Sequence, residues 1–343
     1  MKFSPTARFL THFGAGLLLS ASAAAAQPTI HGIVDVFMER TSAPGRSATI
    51  MDSSGLGVSR VVVKAVEEVG PDMFVSAYLE GRILVDTGRA AYDGGMFNRM
   101  SHISLSSKHA KITVGKQYSP HLLHLASQYD IFETSFWATP YAIFQGANRY
   151  TIIPAAVMVQ VDTELGRPLR LNAMVADRPL EVGKAPAGPQ RFLSALYKLT
   201  KELNVGVSVV DDEHFSFANP HARVVLTGFN YDAGRFRISG GIQKIDLLQT
   251  GERINEYCVG AGYFLTPNNL LQISHARTYE PGHAERSTDV VGVALVHQLS
   301  RRTALYGSIG QLNNKGAYSN TFDLALAPGE SSRNVMLGIK HDF

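Results

Sequence analysis

The most constraining feature of this sequence is an alternation of apolar and polar residues that recurs in short runs along most of the chain. In the run RFRISGGIQK, Phe236, Ile238 and Ile242 share one parity, whereas Arg237 and Gln243 share the other. Successive side chains of a β-strand point to opposite faces, so this period of two predicts a strand whose two faces meet different surroundings. The runs VSRVVVKAVEE and STDVVGVALVHQLS repeat the pattern, and no long window has a convincing helical period.

Sixteen such runs are separated by connections that alternate in length. The predicted strands lie near 29–39, 57–68, 72–85, 98–107, 110–118, 148–161, 167–177, 191–200, 202–212, 221–232, 234–246, 253–265, 268–280, 287–299, 301–312 and 333–343. One set of connections consists of tight turns, such as DAGR at 232–235, and the other of longer loops, such as 40–56 and 119–147. An even number of strands with short turns at one end and long loops at the other is typical of a bacterial outer-membrane barrel. The sequence therefore predicts an all-β fold, a 16-stranded antiparallel transmembrane β-barrel.

The N-terminal 26 residues have the features of a secretory signal peptide. Lys2 and Arg8 precede a short apolar stretch. Ala24 and Ala26 form an Ala-x-Ala cleavage site, and cleavage after Ala26 would leave Gln27 as the first residue. The predicted mature domain is 27–343, and without Lys2 and Arg8 it carries 30 basic and 29 acidic side chains, a net charge near +1. A chain of this charge, exported and without a basic stripe, is not expected to bind nucleic acid.

The composition requires a large apolar surface to be covered, either inside a protein core or by lipid. Residues of hydrophobic type make up 45% of the sequence, yet beyond the signal no segment approaches the roughly 18 apolar residues of a membrane helix. The lone cysteine, Cys258, cannot form an internal disulfide. The apolar side chains must therefore form either the core of a soluble β-sandwich or the lipid-facing wall of a barrel, and the pattern of connections favours the barrel.

The chain ends on an aromatic residue. Phe343, His341 and Ile339 share a strand face with Leu337 and Val335. If the sheet closes, this last strand pairs with the first and its apolar face meets lipid, with Phe343 in the aromatic girdle at the membrane interface. We interpret Phe343, His341 and Ile339 as a C-terminal assembly signature.

Several motifs together resemble the trimeric general porins of Gram-negative β-proteobacteria. TIHGIVDV is similar to the first strand of that family, and SRVVVKAVEEVG is similar to its Ser-Arg-x-x-x-(Arg/Lys)-x-x-Glu-(Asp/Glu)-x-Gly run. DMFVSAYLEGRILVDTG resembles its third strand, and MFNRMSHISLSSKHAKITVGKQYSP resembles the stretch before its third loop. The closing GIKHDF resembles the family's Gly-x-(Arg/Lys)-His-x-Phe, whereas residues 150–300 agree only in pattern and strand number.

The resemblance implies a homotrimer of barrels in the outer membrane, in contact with its lipid. Each barrel would hold a water-filled pore for passive diffusion of small hydrophilic solutes and ions, narrowed by a third extracellular loop folded inward. By this resemblance Ser119–Ala147 is the constriction loop and contributes Asp130 and Glu133. A basic wall would face it, for which strand parity selects Arg60, Lys64 and Arg82, with Glu80 on the same face. Opposite charges on two sides of a narrow pore create a transverse field that sorts ions.

Two departures from the family favour an alternative, a narrower and more solute-selective channel. The segment YTIIPAAVMVQV is apolar where the family carries polar and basic residues, with Ala155 near the expected basic position. The third loop is also apolar in IFETSFWATPYAIF. The sign of the ion preference is therefore left open by the sequence.

No cofactor, metal site or enzymatic activity is expected. His121 and His124 in HLLH have the spacing of metal ligands on a helix, but two ligands do not complete a site. An outer-membrane barrel enzyme is the competing class of function, and it requires a nucleophile with its base. No Ser-His-acid set supports that class, since His275, His283 and His297 are scattered along the chain.

Overall fold

The computed structural model describes residues 28–91, 95–135, 139, 143–144, 150–164, 166–177, 189–213, 215, 221–322 and 324–343. The predicted signal peptide, 1–26, lies outside the described residues. In the described part of the chain no helix has both the length and the apolar character needed to cross a membrane.

Antiparallel strands make up most of the described chain. The strands are β1 (Thr29–Ala43), β2 (Arg46–Ser53), β3 (Arg60–Gly70), β4 (Met73–Leu84), β5 (Arg89–Ala90), β6 (Met100–Ser106), β7 (Ala110–Tyr118), β8 (Ile152–Glu164), β9 (Pro168–Asp177), β10 (Pro189–Lys198), β11 (Leu203–Asp212), β12 (Ala222–Asp232), β13 (Phe236–Leu247), β14 (Arg253–Thr266), β15 (Asn269–Glu280), β16 (His283–Gln298), β17 (Thr303–Lys315) and β18 (Ser331–Asp342).

The sheet closes on itself, because β1 pairs with β18 from Ile33 opposite Asp342 to Ser42 opposite Arg333. The 18 strands occupy sixteen positions in the wall. β2 and β3 both pair with the same edge of β1 and share one position, and β5 pairs only with the end of β4. The prediction of a closed 16-stranded antiparallel barrel is therefore confirmed, and closure pairs the two strands that would otherwise be the edges of the wall.

The first loop differs from its prediction. We predicted a loop over 40–56, but β1 continues to Ala43, turns at Pro44 and Gly45, and returns as β2. Gly45 has a φ of 71°, a left-handed conformation that glycine adopts without strain. The alternation in RSATIMDS continues that of the wall, so the local pattern supports a hairpin that extends the barrel.

The two faces of the wall differ as the alternation predicts. Large apolar side chains of one parity are exposed on the outside of the barrel, among them Ile30, Leu193, Ile309 and Leu337, each between 62% and 69% exposed. Their neighbours of the opposite parity, such as Glu39 and Met336, are buried inside. A continuous apolar outer surface of this extent is stable only against lipid.

The third loop folds into the barrel. Ser119 caps a short helix, α1 (Pro120–His124), by accepting a hydrogen bond from the backbone N–H of Leu122 at 3.0 Å. The helix continues as a π-helical turn over Leu125–Tyr129. Farther along the loop, the hydroxyl of Ser135 donates to the carbonyl oxygen of Leu56 at 2.7 Å, on the far side of the barrel seam. The expectation of an inward-folded third loop is confirmed.

Apolar clusters inside the barrel hold this loop against one part of the wall. Leu125, Tyr129, Ile143 and Phe144 of the loop pack on inward residues of β12, β14, β15, β16 and β17. Phe322, from the loop between β17 and β18, joins the same cluster. Ile131 and Phe132 pack on β1, β16, β17 and β18. The described part of the loop thus packs on the wall from β11 round to β1, and its apolar clusters contain no residue of β3 or β4.

Candidate pore constriction

The register of β3 and β4 brings the predicted basic residues together on the inner face. Arg60 is opposite Arg82, and Lys64 is opposite Tyr78. β3 also pairs with β1, and there Arg60 is opposite Ile33. Ile33 lies on the same face of β1 as Asp35 and Phe37, which are buried inside the barrel. Residues paired across an antiparallel ladder point to the same side of the sheet. All four side chains therefore face the lumen.

Glu80 lies in the middle of these cations and is 1% exposed. Its carboxylate pairs with the guanidinium of Arg99 and lies 3.7 Å from Nε of Arg60. The hydroxyl of Tyr78 donates a hydrogen bond to its second oxygen at 2.7 Å. A buried carboxylate is stable only when its charge is compensated in this way. Glu80 therefore holds the basic wall together and reduces its charge by one.

Arg99 is a residue that sequence reasoning did not identify. It is 7% exposed, pairs with Glu80, and has its guanidinium carbon 5.1 Å from the ring centre of Tyr118. Arg99 precedes β6, so strand parity says nothing about it. The signal that could have identified it is the Phe-Asn-Arg sequence at 97–99, which lies within the segment MFNRMSHISLSSKHAKITVGKQYSP that resembles the family.

The two acidic residues of the third loop have different surroundings. Glu133 is exposed and has a φ of 54°. Asp130 is 3% exposed, and its carboxylate accepts hydrogen bonds from the backbone N–H groups of Phe132 and Thr134, both at 2.9 Å, and from the hydroxyl of Thr139. Burial raises the pKa of Asp130 to about 6. Asp130 is thus an internal brace of the loop, contrary to our expectation that it lines the constriction, and of these two carboxylates only Glu133 is exposed.

Three glycines form a recess in the wall that receives Tyr129. A Cβ atom added to Gly206, Gly228 or Gly241 would lie 2.7 to 3.1 Å from atoms of Tyr129. The three glycines are register partners on β11, β12 and β13, so they form one row across the inner face. The absence of side chains in this row lets the aromatic ring of the loop lie directly on the backbone of the wall.

The helix α1 is fixed by buried histidines. Nδ1 of His121 lies 3.2 Å from Oγ of Ser208, and its Nε2 lies 2.8 Å from Oε1 of Gln243. His124 Nδ1 lies 3.2 Å from the hydroxyl of Tyr129. Burial lowers the pKa of both histidines to about 4, so both are neutral at pH 7. His121 thus attaches the loop to β11 and β13, whereas His124 braces the loop internally through Tyr129, the residue that lies in the glycine recess.

The departure noted in YTIIPAAVMVQV produces an apolar inner wall. Ile153, Ala156 and Met158 of β8 face inward and pack with Phe192 and other residues of β9 to β13. Ala155 has a φ of 50° and is exposed, and it lies in a bulge where the register of β7 and β8 shifts between Gly115 and Gln117. The position near which the family carries a basic residue therefore adds no cation to this wall.

Four inward carboxylates of the barrel are buried, whereas the side chains of Asp162, Asp232 and Asp342, which also have inward parity, are 39% to 42% exposed. Asp35, Glu39, Asp212 and Glu256 are each at most 1% exposed, and each accepts hydrogen bonds inside the protein. In contrast, Lys64 is exposed and the Arg60 side chain is 29% exposed. On β3 and β4, where Glu80 is 1% exposed, the accessible charge is therefore mainly positive.

The fold and the site together define an outer-membrane channel protein, with a closed barrel, an apolar outer face and a charged lumen narrowed by an inward loop. The model of the Gram-negative porin family matches residues 14–317, and the chain belongs to that family. The protein is thus an outer-membrane porin that forms a water-filled channel.

Similar proteins agree with this assignment. The chain is 26% identical over 348 residues to outer membrane porin protein 32 of Delftia acidovorans, covering 95% of this chain and 97% of the relative. Among solved structures, an anion-selective porin from Comamonas acidovorans superposes with a TM-score of 0.79 at 23% identity, covering 93% of this chain and 100% of that one. OmpF of Salmonella typhi, in a complex with daunomycin, superposes with a TM-score of 0.71 at 12% identity, covering 93% and 98%.

Proposed function

We propose that this porin is an anion-preferring channel for passive diffusion of small hydrophilic solutes. Its constriction lies between Glu133 on the third loop and the basic wall of Arg60, Lys64 and Arg82. The observation that carries the proposal is the difference in accessibility within the basic wall, since Lys64 is exposed and the Arg60 side chain is 29% exposed, whereas Glu80 is 1% exposed. The similar structure from Comamonas acidovorans is that of an anion-selective porin, which supports a preference for anions in this channel as well.

The charge balance of the basic wall explains the expected preference. Arg60, Lys64, Arg82 and Arg99 contribute four positive charges, and Glu80 contributes one negative charge, which leaves +3 on this side of the lumen. A wall of one sign in a narrow pore raises the local concentration of the opposite ion and lowers that of the like ion. Glu133 lowers the preference without reversing it.

The reversal potential in a tenfold KCl gradient tests this proposal. In a planar bilayer, the reversal potential of wild-type channels should have the same sign as the equilibrium potential of chloride. Arg60→Ala combined with Lys64→Ala should shift the reversal potential toward zero. Lys201→Ala is the matched control, because it removes one exposed cation from the short turn between β10 and β11, outside the lumen. Cation preference in the wild type, or no shift in the double variant, would contradict the assignment.

We further propose a homotrimer, with the contact on the outer face of β15 to β18 and β1. Polar side chains face outward there, although this surface adjoins the lipid-facing belt. Nε2 of His275 and Nη1 of Arg277 lie 3.4 and 3.8 Å from Oδ1 of Asp289. Arg333 donates to Oε1 of Gln311 on the same face. Charged and hydrogen-bonding groups at this depth are disfavoured against acyl chains and are suited to contact with another protomer.

The mass of the detergent-solubilised protein measures the assembly. Light scattering should give three chains per particle for the wild type and a smaller particle for Asp289→Ala with Arg333→Ala. Leu193→Ala, on the opposite side of the barrel and 62% exposed, should leave the trimer intact. A monomeric wild type would contradict the proposal.

Export and the absence of catalysis are part of the same proposal. Cleavage after Ala26 would leave Gln27 as the first residue of the mature porin, and the intact mass of protein purified from outer membranes tests this. The histidines that an enzyme could use have structural neighbours instead, since His297 Nδ1 lies 2.8 Å from Oδ1 of Asn269. We therefore expect the wild-type protein to have no hydrolytic activity that His275→Ala or His297→Ala could reduce.

A further inference from the structure

Two aromatic rings are stacked on the basic wall of the pore. The rings of Tyr78 and His102 have centroids 5.1 Å apart and planes inclined by 6°. The two residues are register partners on β4 and β6, and both are partly exposed on the lumenal face. The hydroxyl of Tyr78 is held by Glu80 at 2.7 Å, so the orientation of the ring is fixed.

Cations flank this stack. Lys64 is the register partner of Tyr78 on its other side, and its side chain is exposed. Arg60 lies on the same face of β3 and approaches Glu80, the acceptor of the Tyr78 hydroxyl, at 3.7 Å. An anion that reaches Lys64 or Arg60 is therefore next to the rings.

The third loop carries an exposed apolar side chain on the face of α1 that is turned away from the wall. Leu123 is 40% exposed, whereas the other residues of α1, Pro120, His121, Leu122 and His124, are buried against the wall. The helix begins two residues after Tyr118, whose ring lies 5.1 Å from the guanidinium of Arg99 in the cation cluster. An exposed leucine in a water-filled lumen lowers the free energy of a solute that brings an apolar surface to it.

We propose that the pore contains a binding station for small planar aromatic carboxylates, which deepens the proposed anion preference and rests on it. The carboxylate of the solute engages Lys64 and Arg60, and its ring contacts the Tyr78–His102 stack, while Leu123 is an apolar group that the third loop adds to the lumen. Chloride interacts with the cations alone, and a neutral aromatic solute with the rings alone. An aromatic contact contributes beyond the burial of apolar area, so a flat π-system is preferred to a saturated ring of similar size.

Block of the chloride current in planar bilayers tests the station. Benzoate and cyclohexanecarboxylate carry the same charge and have similar size, but only benzoate has a π-system. Wild-type channels should be half-blocked by benzoate at a concentration about 2- to 10-fold below that of cyclohexanecarboxylate, the range expected of one aromatic contact. Taking the ratio of the two concentrations in the same channel cancels changes in the chloride current itself.

Variants separate the rings from the charge. Tyr78→Leu with His102→Leu should bring the ratio to about one, whereas Tyr78→Phe should retain most of it because the ring remains. Leu123→Ser should weaken block by both ring-bearing anions relative to acetate. His109→Leu is the matched control, because this histidine is exposed in the turn between β6 and β7. Heat-modifiable migration in detergent verifies that each barrel is folded.

The outcomes distinguish this inference from the proposal on which it rests. A wild-type channel that prefers anions but is blocked equally by the two ring-bearing anions would overturn the aromatic station alone, as would a ratio unchanged in the double leucine variant. Wild-type channels that do not prefer anions would overturn the proposed function and the station together.

Discussion

Phe343 and Gly32 exchange both of their backbone hydrogen bonds, each at 3.1 Å, at the seam where the last residue of the chain meets the first strand. Gly32 also makes room for the terminal ring, because a Cβ atom added there would lie 2.5 Å from Cζ of Phe343. The exposed end of the chain is therefore an ordered part of the barrel.

Gly32→Val should impair closure of the barrel. The added side chain meets the carbonyl oxygen of Arg60, which is fixed in the pairing of β1 with β3, and it displaces the ring of Phe343 from its place beside Gly32. We expect a lower fraction of folded, heat-modifiable protein on gels in detergent. Gly70→Ala is the control, because a Cβ added there approaches nothing more closely than 4.0 Å. Equal folded fractions of both variants would contradict this account of the seam.

Removal of Arg99 should destabilise the barrel by leaving Glu80 without its closest partner. Breaking one side of a buried ion pair typically lowers the free energy of unfolding by about 3 to 5 kcal/mol. Arg99→Gln should therefore lower the temperature at which the barrel loses its compact migration. Adding Glu80→Gln removes the uncompensated charge and should restore most of the loss. If the double variant is no more stable than Arg99→Gln alone, the pair is not coupled.

Tyr129 should determine how firmly the third loop is held. Its ring occupies the glycine recess of β11 to β13 and is fully buried, so Tyr129→Ala removes the main contact of the π-helical turn with the wall. Truncation of a buried aromatic residue typically costs about 3 to 5 kcal/mol. We expect larger fluctuations of the open-channel current in a planar bilayer. Tyr129→Phe keeps the ring and loses only the hydrogen bonds of the hydroxyl, with His124 and with the backbone of Gly228, so its current should fluctuate much less than that of the alanine variant.

Acid should loosen the same loop through the two histidines of α1. Their pKa values of about 4 lie below the value of about 6.5 for an exposed histidine. As the pH falls from about 6.5 to about 4, a detached loop binds protons that the packed loop does not, so attachment weakens by up to about 3 kcal/mol per histidine. Above about pH 6.5 both states are neutral and the effect vanishes.

Asp130 acts in the opposite direction over an overlapping range. Its pKa of about 6 exceeds that of an exposed aspartate, so the packed loop binds a proton first and attachment strengthens as the pH falls from about 6 to about 4. Two histidines outweigh one aspartate, and current fluctuations should increase between pH 7 and pH 4.5. His124→Phe should reduce this increase, and Asp130→Asn should enlarge it. Fluctuations independent of pH in the wild type would contradict the assignment.

The extent to which the sequence predicts this porin follows from the range of each interaction. Alternation in SRVVVKAVEEVG is a local property, and it is sufficient to assign Arg60 and Lys64 to one face of β3. The same reasoning has no access to Arg99, which lies before a strand, or to the burial of Asp130, which depends on Thr139 and the turn around it. The row of Gly206, Gly228 and Gly241 is equally invisible, because it requires the register of three strands.

The order of residues by itself determined the strands, the even count, the alternation of turns and loops, and hence a barrel with one apolar and one polar face. These features depend on neighbours within a few positions, where the period of the backbone decides which way each side chain points. Tertiary structure alone decided which lumenal charges meet water. The solvent accessibility of these charges depends on where a loop of nearly thirty residues lies against strands that are distant in the sequence. The packing of Tyr129, His121 and Phe132 on the wall fixes the position of this loop.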